Sequence, residues 1–254
     1  MYKKNSKNEK GAAKVMELRK PGFSGSTLKM IALATMGIDH FGAVIVRRIM
    51  GMPEFDQRFW GSLYMPLRYV GRLAFPIFCF FLVEGFVHTS NTKKYLGRLA
   101  MFALISEIPF NLGISGNLID LNYQNVFWEL IVGILAMICL RMVEEQISND
   151  ILQMIFRCLI LGAFAWGAEI LNLDYGMYGI ISIVALYVLR QNKVSQLVVG
   201  AVSFAWEKVA PLAFLMIAFY NGKRGKNMKY TLYVFYPLHL LIFYLVARML
   251  GCQY

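Results

Sequence analysis

The segment Ser26–Met50, STLKMIALATMGIDHFGAVIVRRIM, carries Asp39 and His40 inside an otherwise apolar run. From Leu28 to Met50 it is long enough to cross a bilayer, which takes roughly 20 apolar residues. An ionisable group at that depth costs at least a few kcal/mol unless it meets a partner or a water-filled cavity. Two adjacent ones in the first apolar run read as a site before they read as packing. The fold follows from the same segment, because a chain that opens with a spanning helix must satisfy its backbone inside lipid, and helices do so within one segment.

Composition extends this reading to the whole chain. Of 254 residues, 58% are hydrophobic, 15% aromatic and only 16% charged, with a mean hydropathy of +0.52. A soluble domain carries about 25% charged residues. The formal net charge is +11, but the basic residues gather at the ends of apolar runs. That distribution belongs to the loops of a membrane protein and argues against a nucleic-acid partner. The cysteines Cys79, Cys139, Cys158 and Cys252 are isolated in or beside apolar segments, so no metal site and no disulfide framework is expected. The first apolar run is too long for a cleavable leader.

Apolar runs near 28–49, 66–87, 95–112, 125–142, 152–172, 176–190, 194–205, 209–220 and 230–250 predict an all-α polytopic membrane protein of about nine transmembrane helices. The 194–220 stretch reads either as a broken hairpin or as one long helix interrupted at Trp206-Glu207-Lys208. Most of the 26 basic residues fall on one side if the N-terminus is cytoplasmic, which sets the orientation and a multi-pass place in the cell membrane. Residues 1–26 form a basic tail, and 27–254 a single helical domain. No internal repeat is visible, unlike many transporters.

Helical rise then brings the buried charges to one layer. His40 lies roughly 18 Å into a hydrocarbon core about 30 Å thick. Arg72 in the second run, Glu107 in the third and Glu129 in the fourth fall in the outer half, and His239 in the last run near the midplane. Such a layer needs a shared polar cavity. Pro76, four residues after Arg72, and Pro237 beside His239 each remove a backbone donor and invite a helix break.

The segments MGIDHFGAV (36–44), GRLAFPIFCFFLVEGFVHT (71–89) and NGKRG followed by YVFYPLHLLIFY (221–244) resemble the TraX family. The resemblance runs from about Leu28 to Leu250 and implies the reaction class, transfer of acetyl from acetyl-CoA by a polytopic membrane protein to an amine of a peptide, pilin-like or amino-sugar acceptor; members of the family are best known for acetylating the N-terminus of a pilin. It also implies kinship with transmembrane acyltransferases of the heparan-α-glucosaminide N-acetyltransferase kind. His40 suits a general base or an acetyl carrier, and the two roles stay open. Asp39 and Arg72 complete the catalytic set as an expected ion pair, while Glu107, Glu129 and His239 bind the acceptor or support His40. Lys93, Lys94, Lys223, Arg224 and Lys226 are expected to meet the phosphates of acetyl-CoA on the cytoplasmic side. The acceptor is an amine or hydroxyl arriving from the outer side, and self-association is left open. O-acetylation of a surface glycan and small-molecule transport through a midplane polar site are the alternatives. His88, Glu169 and Asp174 read as solvated loop residues.

Overall fold

Most helices begin where a short polar side chain replaces a missing intrahelical acceptor. In the computed structural model, which describes residues 22–253, Ser24, Asp56, Asn91, Asn125, Asn149 and Asn192 each accept a backbone N–H of the first turn that follows. The chain then runs as α1 (Gly25–Ile49), α2 (Gln57–Gly71), α3 (Ala74–His88), α4 (Thr92–Ile114), α5 (Val126–Gln146) and α6 (Asp150–Ile170). It continues as α7 (Gly176–Val188), α8 (Lys193–Ser203), α9 (Ala213–Ala218) and α10 (Lys229–Met249). No strand occurs among the described residues. The expected basic tail lies outside them, apart from its last few residues.

Among the described residues, five stretches are long and apolar enough to cross a membrane: α1, α2 with α3, α5, α6 and α10. At 1.5 Å per residue, α7, α8 and α9 are each shorter than a bilayer core. The two runs expected at 194–205 and 209–220 are therefore a broken hairpin. Its tip consists of the short 3₁₀ turns Ala205–Glu207 and Ala210–Leu212, with Lys208 held at φ +53° between them. The second run also starts earlier than expected. Helix α2 begins at Gln57 and buries only Gly71, so its first half is an amphipathic approach to the bundle.

Two ends of the bundle are tied separately. At the basic end, the start of α1 is strapped to the segment before α10: Phe23 N–H donates to the Phe219 carbonyl (2.8 Å) and Gly25 N–H to that of Lys223 (2.7 Å). Glu144 meets Arg190 (2.8 Å) and Arg157 (3.6 Å) at the same end. At the far end, Gln124 N–H donates to Asn172 (3.0 Å) and Arg48 to the Ile114 carbonyl (3.0 Å). Between them lies a core built on Leu28, Ile77, Phe86, Leu99, Tyr187 and Phe204, each at most 2% exposed. Helix α6 buries only Ala165 and Ala168, packs Ile160, Leu161 and Phe164 against the core, and leaves most of its other apolar side chains exposed, as a lipid-facing helix would.

Candidate active site

His40 ends the regular part of α1. Over Phe41–Val46 the helix widens into π-helical geometry before Arg47–Ile49 closes it. Such single-turn insertions re-aim the side chains around them and recur at functional sites. Gly42, inside the wide turn, faces Leu67 of α2 so closely that a Cβ there would lie 3.2 Å from Leu67 Cβ. A π-turn and a glycine together thus seat α2 against the histidine.

The partner of His40 is His239 of α10. The imidazoles stack with centroids 4.8 Å apart at 13°, and His40 Nδ1 lies 2.5 Å from His239 Nε2. His239 Nδ1 in turn lies 2.5 Å from the Phe235 carbonyl oxygen. A carbonyl oxygen only accepts, so His239 Nδ1 carries a hydrogen and, in the neutral ring, its Nε2 does not. His239 Nε2 accordingly accepts from His40 Nδ1–H, which leaves the lone pair of His40 on Nε2. The chain Phe235–His239–His40 fixes one tautomer and presents one free basic nitrogen. Pro237 does not break α10, contrary to expectation: the helix is continuous through it.

Beside this pair, Asp39 Oδ2 takes Arg68 Nη1 at 2.8 Å. The expected Asp39–Arg72 pair is not formed. Arg68 and Arg72 are one turn apart on α2, and the helix ends at Gly71, so Arg68 faces α1 while Arg72 Nε reaches Glu207 Oε2 at 3.0 Å on the hairpin tip. Gly71 is required there, because a Cβ would fall on the side chain of Asp39. The break at Arg72 and Leu73 is the kink expected from Pro76, which sits in the first turn of α3, where its missing N–H costs nothing. Asp39 Oδ1 is buried without a hydrogen bond among the described residues.

Glu107 and Glu129 do not reach the histidines. Glu107 accepts from Asn125 and from Trp128 Nε1 (3.0 Å). Glu129, fully buried, lies against the Tyr175 backbone N–H and under Gly179. Asp174, read from sequence as solvated, instead takes the Tyr123 hydroxyl. Burial pushes its carboxyl up to about 6, against the Tyr123 hydrogen bond and Arg72, which pull it down. Glu169 accepts from Met177 N–H (2.7 Å), at the start of α7.

Two groups of openings lie at opposite ends of the bundle. At the basic end, a cleft of about 530 Å³ is lined by Lys29, Glu84, His88, Arg98 and Arg224 among others. It shares Lys29, Arg98 and Arg224 with a narrower cavity of about 220 Å³ that also takes in Lys226 and runs between Phe78, Phe127, Leu130 and Tyr233. Arg224 and Lys226 thus line these spaces. Lys93 and Lys94 are exposed and line neither space, and Lys223 stands beside Arg224 but outside both linings. Lys29 and Arg98 take that place. Lys29 sits 4.5 Å over the Phe81 ring, and Arg98 Nε is buried without a hydrogen bond among the described residues. At the far end a cleft of about 310 Å³ is lined by Tyr64, Arg68, Tyr69, Arg72, Trp206 and Glu207 among others. No group of side chains suited to a metal ion occurs among the described residues.

A family model described as TraX protein matches residues 24–247. The chain belongs to that family. A relative, "Probable fimbrial assembly protein FimC, serogroup H1" of Dichelobacter nodosus, is 29% identical over 250 residues, which cover 87% of this chain and 94% of the relative. No solved structure matches. In this TraX-family chain the matched range takes in α1 through most of α10, hence His40, His239, Arg68, Arg72 and the clefts at both ends. Sequence reasoning missed Arg68, Glu207, Asp174 and Lys29, and it reached Arg98 only as the Arg98-Leu99 step of the TraX resemblance. Arg68 carried a signal of its own, an arginine one helical turn before Arg72 on the same run.

Proposed function

We propose that this chain is a membrane-embedded acetyltransferase that takes acetyl from acetyl-CoA at its basic end and passes it to an amine arriving from the far end. The observation that carries the reading is the hydrogen-bonded His40–His239 pair, which leaves one basic nitrogen free. Acetyl transfer to an amine needs a base for the nitrogen's proton and an acid for the departing sulfur. One imidazole held in one tautomer does both in turn, and its neighbour holds the orientation, as the third member of a triad does.

The basic end is the side that faces the cytoplasm, by the excess of lysine and arginine there, in the cell membrane. Lys29, Arg98, Arg224 and Lys226 offer the charge for the phosphates of acetyl-CoA. The aromatic cavity above them suits the uncharged pantetheine arm, roughly 15–20 Å long. Lys29 and His40 are eleven residues apart on α1, about 16 Å along the axis, so phosphates at Lys29 leave the thioester near His40. At the far end Asp39 and Glu207 replace Glu107 and Glu129 as the carboxylates that meet an incoming ammonium. The family's association with pilin acetylation and the relative's name favour the amino group of a pilus-type polypeptide as acceptor.

The test is release of CoA thiol by the purified full-length protein, in lipid, supplied with acetyl-CoA and a peptide amine. Amine-dependent release, lost in His40→Ala with CoA binding retained, is the expected result. Uptake of a small molecule without thiol release would favour a transporter instead.

A further inference from the structure

We infer that the Tyr236 hydroxyl is a further catalytic group, the donor that holds the carbonyl oxygen of the acetyl thioester while His40 moves the proton. This rests on the acetyl-transfer reading above. Tyr236 is 3% exposed, and its ring stands edge-on to His40 (centroids 5.7 Å, 71°) and to His239 (5.9 Å, 72°). It also stands edge-on to Phe127 (5.2 Å). Phe127 and Tyr233, one turn earlier on α10, both line the narrow cavity that rises from the basic cleft. Tyr236 therefore packs on both imidazoles and on Phe127, one of the residues that line that cavity.

A buried phenol ordinarily has a hydrogen-bond partner. The Tyr236 hydroxyl has none among the described residues. The hydroxyl hydrogen therefore remains to be given. Val126 opens α5, whose first turn is held in place by fully buried Asn125: its Oδ1 accepts Phe127 N–H (3.1 Å), and its Nδ2 donates to the Ala103 carbonyl (3.0 Å) and to Glu107. That anchoring gives Glu107 and Asn125 a purpose in positioning. If Tyr236 only packed, a phenylalanine would fill the place without stranding a buried hydroxyl.

The step balances with the groups named. The amine nitrogen's lone pair forms the C–N bond to the thioester carbon, and the C=O π pair moves onto oxygen, which accepts the Tyr236 hydrogen bond. His40 Nε2 takes the nitrogen's proton. The oxygen pair then re-forms C=O, the C–S bond breaks, and sulfur leaves with the proton from His40. Tyr236 donates throughout and transfers nothing.

The experiment compares the full-length wild type, Tyr236→Phe, and a protein carrying 3-fluorotyrosine at position 236, for amine-dependent CoA release and for CoA binding. Tyr236→Phe is expected to lose about 10²-fold in kcat, the effect of removing one oxyanion donor, with CoA affinity unchanged. Fluorotyrosine is expected to restore turnover and to move the alkaline limb of the kcat profile to lower pH, because the donor must stay protonated. A packing role would move neither limb. Wild-type turnover with an unimpaired Tyr236→Phe protein, or with a fluorotyrosine profile that overlays wild type, overturns this assignment alone. Absence of turnover in the wild type defeats the acetyl-transfer reading and this assignment together.

Discussion

His40 is useful as a base because of what is done to its other nitrogen. The Phe235 carbonyl dictates the hydrogen on His239, and His239 dictates the hydrogen on His40. His239→Phe keeps the stacked ring but removes the acceptor, so His40 loses its fixed tautomer. We expect kcat to fall by about 10²-fold or more, with CoA affinity unchanged in a binding titration. Asp174 makes a second prediction at this scale, outside the spanning helices. Its carboxyl is raised from 3.8 to about 6, chiefly by burial. Between those values the folded protein binds more protons than the unfolded chain, so stability falls as pH rises from about 4 to about 6. Asp174→Asn should flatten that part of the thermal-midpoint profile; an unchanged slope would mean that another group is responsible. The residue types of the site were legible in sequence: Asp39, His40 and His239 announce themselves by being polar in apolar runs. Their partners were not. His40 and His239 are 199 positions apart, and no local pattern says which buried group meets which.

The elements explain why Arg68 rather than Arg72 reaches Asp39. Helix α2 closes on α1 over Gly42 and Gly71, ends there, and sends its last arginine sideways to the hairpin tip. Sequence located the break through Pro76, yet it could not say which arginine lay on the α1 face, because residues one turn apart share a face until the helix stops. Gly71→Ala would push a methyl into Asp39. We expect a cost of ~1–3 kcal/mol as overpacking, seen as a thermal midpoint lower by several degrees. An unchanged midpoint would show that α1 and α2 can part without loss. The long apolar helices were legible from hydropathy, to within a few residues at most ends. The first half of α2 was not, because its apolar residues are spread as a stripe rather than a run. Helices α8 and α9 were ambiguous for the opposite reason: each is apolar, but 11 and 6 residues are too few to cross.

For the whole molecule, charge and cavity fall on the same end. The basic cleft and the narrow aromatic cavity share Lys29, Arg98 and Arg224 at one end, and the Arg68–Arg72–Glu207 cleft opens at the other. Replacing Arg98 and Arg224 together by glutamine should raise the KM for acetyl-CoA at least tenfold, since each loses a charge-assisted contact to phosphate, while kcat changes little. Equal losses in both constants would place those arginines elsewhere in the mechanism. The central claim is that acetyl leaves CoA at His40 and crosses to an acceptor on the opposite side. Sealed vesicles of one orientation, with labelled acetyl-CoA on the basic side and a membrane-impermeant peptide amine on the far side, test it directly. Label is expected on the far-side peptide for the wild-type protein and none for His40→Ala. Label appearing only on a peptide placed beside the acetyl-CoA, or undiminished in His40→Ala, would contradict it.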